Sequence, residues 1–192
     1  MSSRHIGRIF LICAFSLAVL QPIVLGAGAQ SSGAQRPVPE RAESRLERAI
    51  RRQLVTLPYY SMFDWFTYRI SGYDVELDGY AVRPSLKSAA GNVVKGIEGV
   101  QKVTNNIKVL PPSTMDDRIR LAEYRAIYRY PGFEKYAIQA IGPIHIIVNS
   151  GHVILEGVVD SNSDKDVANI HAKSVSGVFS VTDNLRVQSD GK

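Results

Sequence analysis

The sequence predicts an α+β protein of two tandem αββαβ domains, each a three-stranded mixed sheet covered on one face by two helices. Two observations lead to this prediction: the chain repeats itself, and both copies show the same order of helical and strand periodicities. A shift of 78 positions aligns residues 66–109 with residues 144–187 without a gap. The identical pairs include Val75 with Val153, Leu77 with Leu155, Gly79 with Gly157, Ala90 with Ala168, and Asn106 with Asn184. This register indicates that one unit was duplicated.

The first helix of each copy lies upstream of this alignment, where a shift of 73 positions pairs Leu46 with Ile119 and Pro58 with Pro131. Apolar residues recur there at three- and four-residue spacing, which predicts an amphipathic helix in both copies. They are Leu46, Ala49, Ile50 and Leu54 in the first copy, and Ile119, Ala122, Ala126 and Ile127 in the second. Pro58 is expected to end the first helix, and the residues of 113–117 to cap the second. The change of shift places five extra residues in the second copy, near residues 136–142.

A β-hairpin follows in each copy. Alternating apolar residues predict the outgoing strand, with Phe66, Tyr68 and Ile70 in one copy and Ile144, Ile146 and Val148 in the other. Turn-forming residues at 71–72 and 149–151 separate these strands from return strands over residues 75–82 and 153–159. Each copy is therefore expected to contain a tight antiparallel hairpin.

The second helix and the last strand complete each copy. The helices are expected to start near Pro84 and near Ser163, where Ser163 and Asp166 have the spacing of a capping box. Gly99 and Gly177 are expected to end these helices, because a helix often ends at a residue with positive φ. The last strands are predicted over residues 103–109 and 181–187.

The first 29 residues have the plan of a secretory signal peptide. Arg4 and Arg8 precede an apolar run from Ile9 to Leu25, and small residues follow up to Ala29. Cleavage before Gln30 would export the protein to the periplasm or outside the cell. The alternative is an uncleaved anchor, since the apolar run is close to the shortest length that spans a bilayer. Cleavage would remove the only cysteine, Cys13, so the mature chain would rely on packing and not on a disulfide.

These boundaries divide the remaining chain into a flexible N-terminal segment (30–42), a first domain (43–110), a linker (111–114), a second domain (115–188) and a tail (189–192). Loss of Arg4 and Arg8 leaves 21 of the 23 basic residues against 18 acidic ones, so the net charge falls from +5 to +3. This excess is too small to indicate nucleic-acid binding.

Two stretches of each copy resemble the BON domain family. In the second copy they are Gly151-His-Val-Ile-Leu-Glu-Gly157 and Gly177-Val-Phe-Ser-Val-Thr-Asp-Asn-Leu-Arg-Val187; in the first they are residues 73–79 and 99–109, with Tyr73 in place of the turn glycine. The resemblance implies a periplasmic or envelope protein, often with tandem copies, whose domains bind phospholipid membranes. It implies an anionic phospholipid membrane as partner; the alternative is an envelope protein, with the chain acting as a scaffolding module.

A basic and aromatic segment is the candidate lipid-binding site. It comprises Arg48, Arg51 and Arg52 on the first helix, followed by Tyr59, Tyr60 and Trp65. Arginines beside amphipathic aromatic residues suit an anionic lipid interface. The alternative is that the arginines form the solvated side of an ordinary helix and the aromatic residues fill a small core.

The outward side of the second sheet is a further candidate surface. Its residues include His145, Ile147, Ile154 and Val158, whereas the first copy has Thr67, Arg69, Glu76 and Asp78 there. An apolar sheet side without helices of its own usually needs cover, which either the first domain or a partner would provide.

The sequence lacks the motifs of an enzyme. It contains no phosphate-binding glycine loop, nucleophile elbow or paired acid motif, and no cofactor is expected. His145, His152 and His171 all lie in the second copy, but the usual zinc-ligand spacings are missing, so no metal site is predicted. The sequence therefore predicts a binding module, and it does not indicate the oligomeric state.

Overall fold

The computed structural model describes residues 40–188, with side chains from residue 43 onward. The predicted signal peptide, most of the predicted N-terminal segment and residues 189–192 lie outside the described residues. Repeat one contains α1 (Glu40–Val55), β1 (Trp65–Ser71), β2 (Asp74–Ala81), α2 (Pro84–Lys95), β3 (Lys102–Asn105) and β4 (Lys108–Val109). Repeat two contains α3 (Thr114–Tyr128), α4 (Glu134–Ala137), β5 (Ile144–Asn149), β6 (His152–Val159), α5 (Asn162–Lys173) and β7 (Ser180–Val187).

The two sheets have the same topology. The first two strands of each repeat form an antiparallel hairpin, and the last strand pairs in parallel with the second strand. The predicted α+β class and the mixed sheets are confirmed. Repeat one differs in one detail, because its last strand is interrupted at residues 106–107 and is divided into β3 and β4, both paired with β2.

Each repeat has its own hydrophobic core between its helices and one face of its sheet. In repeat one, Leu54 of α1, Leu77 of β2 and Ala90 of α2 are buried. In repeat two, Ile127 of α3, Leu155 of β6 and Ala168 of α5 take the corresponding places. The two separate cores confirm that a duplicated unit folds twice.

One identical pair in the repeat has a direct steric explanation. Gly79 and Gly157 have φ values of +124° and +129°, in a region that residues with side chains rarely adopt. A Cβ atom on either glycine would lie 1.9 Å from a backbone carbonyl oxygen, that of Trp65 or that of Pro143. Both hairpins therefore require glycine at the same point, where the neighbouring strand approaches closely.

The helix starts agree with the sequence in two of three cases. Pro84 is the first residue of α2, and the Ser113 hydroxyl caps α3 by accepting a hydrogen bond from the Asp116 N–H at 3.2 Å. The predicted cap of α5 was wrong, because Ser161, not Ser163, is the N-cap and accepts from the Asp164 N–H at 3.1 Å. Ser161 lies two residues after the end of β6 and has extended backbone, and the helix has already begun when the chain reaches Ser163.

The ends of the second helices also differ from the prediction. Gly99 and Gly177 have positive φ, as expected, but α2 ends at Lys95 and α5 at Lys173. A hydrogen-bonded turn fills the interval, so the glycines lead into the last strands.

The five extra residues of repeat two coincide with α4 and the bends after it, and the Tyr136 hydroxyl of α4 donates to Asp164 Oδ2 at 2.7 Å.

Candidate functional site

The arginines of α1 form an exposed surface. Leu46, Ile50 and Leu54 lie on the buried stripe of this helix, so the residues between them point away from the core. The basic face of α1 consists of Arg45, Arg48, Arg51 and Arg52, all of them exposed. None of the four forms an ion pair with another of residues 43–188. Their charges therefore face solvent uncompensated by an ion pair within the part of the chain that the structure describes.

Tyr59 extends this surface beyond the end of α1. Its side chain is 75% exposed, and its backbone has φ +68°, which is unusual for a residue other than glycine. The Arg83 guanidinium carbon lies 5.0 Å from the centre of the Tyr59 ring, within the range of a cation–π contact. An exposed aromatic ring thus follows the basic helix α1 in the chain and contacts a basic group at the start of α2.

Tyr60 and Trp65 are placed differently from Tyr59, at the junction of the two repeats. The Tyr60 ring lies 5.2 Å from the Phe66 ring and 5.8 Å from the His145 ring, and the Trp65 ring lies 4.8 Å from His145. Burial, followed by the nearby Asp64 carboxyl, raises the pKa of Tyr60 above its usual range. The six candidate residues are therefore divided between an exposed set of four and a half-buried pair.

The segment that joins α1 to β1 pairs with the edge strand of the other repeat. The Ile146 N–H of β5 donates to the Met62 carbonyl oxygen at 2.7 Å. The side chains of Met62 and Phe63 also pack against the core of repeat two. Repeat one thus covers the free edge of β5, which would otherwise expose unpaired backbone groups.

Asp64 fixes the shape of this segment. Its carboxylate accepts hydrogen bonds from the Ser61 N–H and hydroxyl and from the Val82 N–H, at distances of 2.8–3.0 Å. The side chain is 1% exposed, and burial raises the pKa of the carboxyl while these hydrogen bonds oppose the shift. The joining segment is therefore held between the end of β2 and the edge of β5.

A groove runs between the repeats beside this contact, with a volume of about 680 Å³. We call it the junction groove. Its lining combines apolar and aromatic side chains with one arginine from each repeat. The lining residues are Arg51, Leu54, Val55, Tyr60, Trp65, Phe66, Thr67 and Tyr68 from repeat one, and Gln139, Ile141, Gly142, Pro143, His145, Gly157, Val158 and Arg186 from repeat two. Arg51, Tyr60 and Trp65 of the predicted site line it, whereas Arg48, Arg52 and Tyr59 do not.

The outward residues of the second sheet are largely covered. His145 is 7% exposed and Ile147 is completely buried, while Ile154 and Val158 are half-buried. The contacts of His145 with Trp65 and Asp64 show that repeat one provides part of this cover. The corresponding side of repeat one is polar, and there Arg69 forms an exposed ion pair with Glu76 at 2.8 Å.

The three histidines considered as metal ligands lie in different surroundings. His145 contacts the Asp64 carbonyl, His152 Nδ1 lies 2.7 Å from the Ser180 hydroxyl, and the His171 ring centre lies 4.4 Å from that of Tyr130 with the rings tilted by 45°. Among the described residues, no group of three or more His, Cys, Asp or Glu side chains is arranged to hold a metal ion.

Within residues 40–188, no helix is both long and apolar enough to span a membrane.

The family model described as "BON domain" matches two segments of the chain, residues 42–111 and 133–189. These segments cover more than half of the chain and fall on the two repeats. The chain belongs to the BON domain family. BON domains are non-catalytic binding domains associated with phospholipid membranes, and proteins that contain them are generally periplasmic or associated with the envelope.

The chain is also similar to solved structures at low sequence identity. Two structures from Chlamydia trachomatis match at 13% identity: CdsD, described as a structural protein of the type III secretion system, and its C-terminal domain. The first covers 77% of this chain and 95% of its own, with a TM-score of 0.28. The second covers 75% and 98%, with a TM-score of 0.27. A search of curated proteins found no match.

Sequence reasoning missed the residues that join the BON repeats. Met62 and Asp64 lie where the shift between the copies changes from 73 to 78, so neither has an aligned counterpart. Arg186 was missed for a different reason. Its aligned residue, Lys108, is also a basic residue on a last strand, so the sequence does not distinguish Arg186 as a site residue. The available signal was the aspartate at the end of an aromatic segment, a residue type that commonly stabilises loops by accepting backbone hydrogen bonds.

Proposed function

We propose that this chain is a non-enzymatic, exported BON protein of the cell envelope that associates with anionic phospholipid surfaces. The basic face of α1 and Tyr59 make the contact. The observation that carries the proposal is the exposure of four arginines on one helix without an ion pair to any other of residues 43–188. Tyr59, with Arg83 over its ring, supplies the amphipathic aromatic group that an interface favours.

The energetics suit a reversible association. A basic group near an anionic membrane contributes about 1 kcal/mol, and the attraction acts over a Debye length of about 10 Å at 0.1 M salt. Four arginines would thus support binding that weakens as salt rises. Tyr60 and Trp65 contribute indirectly, because they support the junction beside α1 and do not face solvent as Tyr59 does.

The test is co-sedimentation with vesicles of phosphatidylglycerol and phosphatidylcholine at 0.05 and 0.5 M salt. The protein is the chain from Gln30 onward, which contains every residue of both hydrophobic cores and lacks the apolar N-terminal run. Replacement of Arg48 and Arg52 by alanine is expected to weaken binding roughly thirtyfold at low salt, as the loss of two basic groups of about 1 kcal/mol each predicts.

Repeat two provides a matched variant. Arg118 and Arg125 are exposed arginines on α3, the first helix of repeat two, and Arg125 aligns with Arg52. Their replacement by alanine removes the same charge and is expected to leave vesicle binding within about twofold. Equal weakening by both double variants would indicate only a net-charge effect. If the parent chain does not bind the vesicles, or binds them equally at both salt concentrations, the proposal is overturned and a protein-scaffolding role is favoured.

A further inference from the structure

We propose that the junction groove is a binding site for the anion of a long-chain fatty acid. This site goes beyond the surface association proposed above and shares only Arg51 with it. An apolar chain would lie between the repeats, and its carboxylate would reach the two arginines at the margin. The proposal stands on the shape of the groove, the charges around it and a difference between the repeats.

The size and lining of the groove suit one alkyl chain. Its volume of about 680 Å³ lies within the range of about 300–1,000 Å³ that is usual for small-molecule sites. Val55, Trp65 and Val158 offer apolar surface from both repeats. A two-chain phospholipid would need more room, so a single-chain ligand is the better match.

The charges around the groove are all of one sign. Arg51 of α1 and Arg186 of β7 are exposed, come from different repeats, and form no ion pair with another of residues 43–188. No carboxylate is among the described residues of the lining. The groove also contains His145, whose pKa burial lowers to about 4, so this imidazole is neutral at pH 7. An anionic head with an apolar tail is complementary to this arrangement.

Two positions of the groove carry smaller side chains than the aligned positions of the other repeat. Val55 is 49% exposed in the groove, whereas the aligned residue of repeat two, Tyr128, is buried with its hydroxyl hydrogen-bonded to the Ile144 backbone. On the other wall, Val158 pairs in parallel register with Arg186. The aligned pair in repeat one is Tyr80 and Lys108, in which the lysine amine lies 6.0 Å from the tyrosine ring centre. Smaller side chains at both positions leave space beside a free arginine.

The sequence provides its own fluorescent reporter, because Trp65 is the only tryptophan of the chain and lines the groove. The probe is stearate with a nitroxide on carbon 16, added to the chain from Gln30 below its micelle concentration. We expect saturable quenching of Trp65 that unlabelled palmitate reverses. Val158→Tyr, which installs the residue of repeat one, is expected to weaken binding at least tenfold, and Arg186→Gln about fivefold.

Arg48→Gln is the matched control, since Arg48 lies one turn from Arg51 but outside the groove; it is expected to leave quenching unchanged. Because Arg186 is exposed, Arg186→Gln tests the site even if Val158→Tyr does not fold. Unsaturable quenching, or quenching that neither variant changes, would overturn the site. If dodecyl maltoside displaces the probe as effectively as palmitate does, the site does not recognise an anion. If lysophosphatidylglycerol binds more tightly than palmitate, the assignment to a fatty acid is wrong.

The two proposals can fail separately. Arg48 and Arg52 belong to the vesicle contact alone, and Arg186 belongs to the groove alone. Loss of vesicle binding in the Arg48 and Arg52 variant with unchanged fatty-acid binding is expected. The opposite pattern is expected for Arg186→Gln.

Discussion

The Nδ1 atom of His145, in repeat two, lies 2.5 Å from the carbonyl oxygen of Asp64, in repeat one. A carbonyl oxygen only accepts, so the proton of this hydrogen bond belongs to Nδ1 and the tautomer of the buried imidazole is fixed. Beside it, the Ile146 N–H donates to the Met62 carbonyl. Two adjacent residues of β5 thus bind the backbone of the segment that leads into β1, one through its side chain and one through its N–H.

The His145 contact predicts a loss of stability in acid. Burial lowers the pKa of His145 from 6.5 to about 4, and hydrogen bonds with the backbone of Asp64 and Ser61 only partly oppose this. The unfolded chain therefore takes up a proton below pH 6.5 that the folded chain does not take up until about pH 4. Between these values the free energy of unfolding is expected to fall by about 3 kcal/mol through this residue.

Urea unfolding at pH 7 and pH 4.5 would measure the effect. His145→Gln keeps a hydrogen-bond donor but does not titrate, so its free energy of unfolding should change less between the two pH values. His152→Gln is the comparison, since His152 is exposed at the far end of the same hairpin. An identical pH dependence in the parent chain and in His145→Gln would show that the buried imidazole does not cause the acid sensitivity.

The paired hairpin glycines predict equal sensitivity in the two repeats. An alanine at Gly79 or Gly157 would place its Cβ atom 1.9 Å from a carbonyl oxygen, at a φ that alanine rarely adopts. Each substitution is expected to lower the free energy of unfolding by about 3 kcal/mol, since relief requires the strands to separate locally. Gly96→Ala serves as a control, because φ is −79° there and the nearest atoms lie at 3.6 Å. If the midpoint of thermal unfolding falls in only one of the two variants, the structural equivalence of the glycines is contradicted.

The hairpin glycines were predictable from the sequence, whereas the role of Asp64 was not. Gly79 and Gly157 occupy equivalent positions, so self-comparison found them and the fold explains them. The core stripes, hairpins and order of elements were predictable for the same reason, since hydrophobic periodicity reports which side of an element is buried. Helix caps were less predictable. Ser161 and Ser163 both precede an aspartate by three residues, and only the end of β6 decides which one caps α5.

The candidate site was predictable only in part. The exposure of Arg48, Arg51 and Arg52 follows from their positions opposite the buried stripe of α1. The separation of Tyr59 from Tyr60 does not follow from sequence, because it depends on where the segment after α1 meets β5. The groove is also invisible to periodicity, since its two walls belong to different repeats and meet only after both have folded.

Asp116 predicts a large difference between two adjacent aspartates. Its buried carboxylate accepts hydrogen bonds from the N–H groups of Ser150 and Gly151, at 2.8 and 2.9 Å, and holds a turn in which both residues have positive φ. Asp116→Asn removes an acceptor from this buried pair and is expected to lower the free energy of unfolding by about 2 kcal/mol. Asp117 pairs with the buried Arg120 guanidinium, but its own side chain is largely exposed, and Asp117→Asn keeps an oxygen that accepts from Arg120; the expected loss is therefore smaller, about 1 kcal/mol or less. Chemical denaturation of both variants distinguishes these outcomes, and equal losses would assign the effect to the helix start in general.

Glu123 predicts the opposite pH dependence to that of His145. It lies on the buried stripe of α3, is completely buried, and neither carboxylate oxygen has a hydrogen-bond partner among the described residues. Burial raises the pKa of Glu123 from 4.5 to about 8, so the folded chain keeps a proton that the unfolded chain loses above pH 4.5. Its contribution to stability is therefore full below pH 4.5 and is lost as the pH rises to about 8, with a total change of several kcal/mol.

The aligned residue of repeat one supplies the variant that tests this. Ile50 is completely buried at the position equivalent to Glu123, so Glu123→Ile introduces a side chain that the same fold already accommodates. The free energy of unfolding of this variant at pH 9 is expected to exceed that of the parent chain by at least about 2 kcal/mol, because no carboxyl must remain buried. The gain should shrink toward pH 5, while Glu98→Gln, at an exposed position, should show neither effect. A gain that is the same at both pH values would reflect apolar packing alone and would contradict the titration of a buried carboxyl.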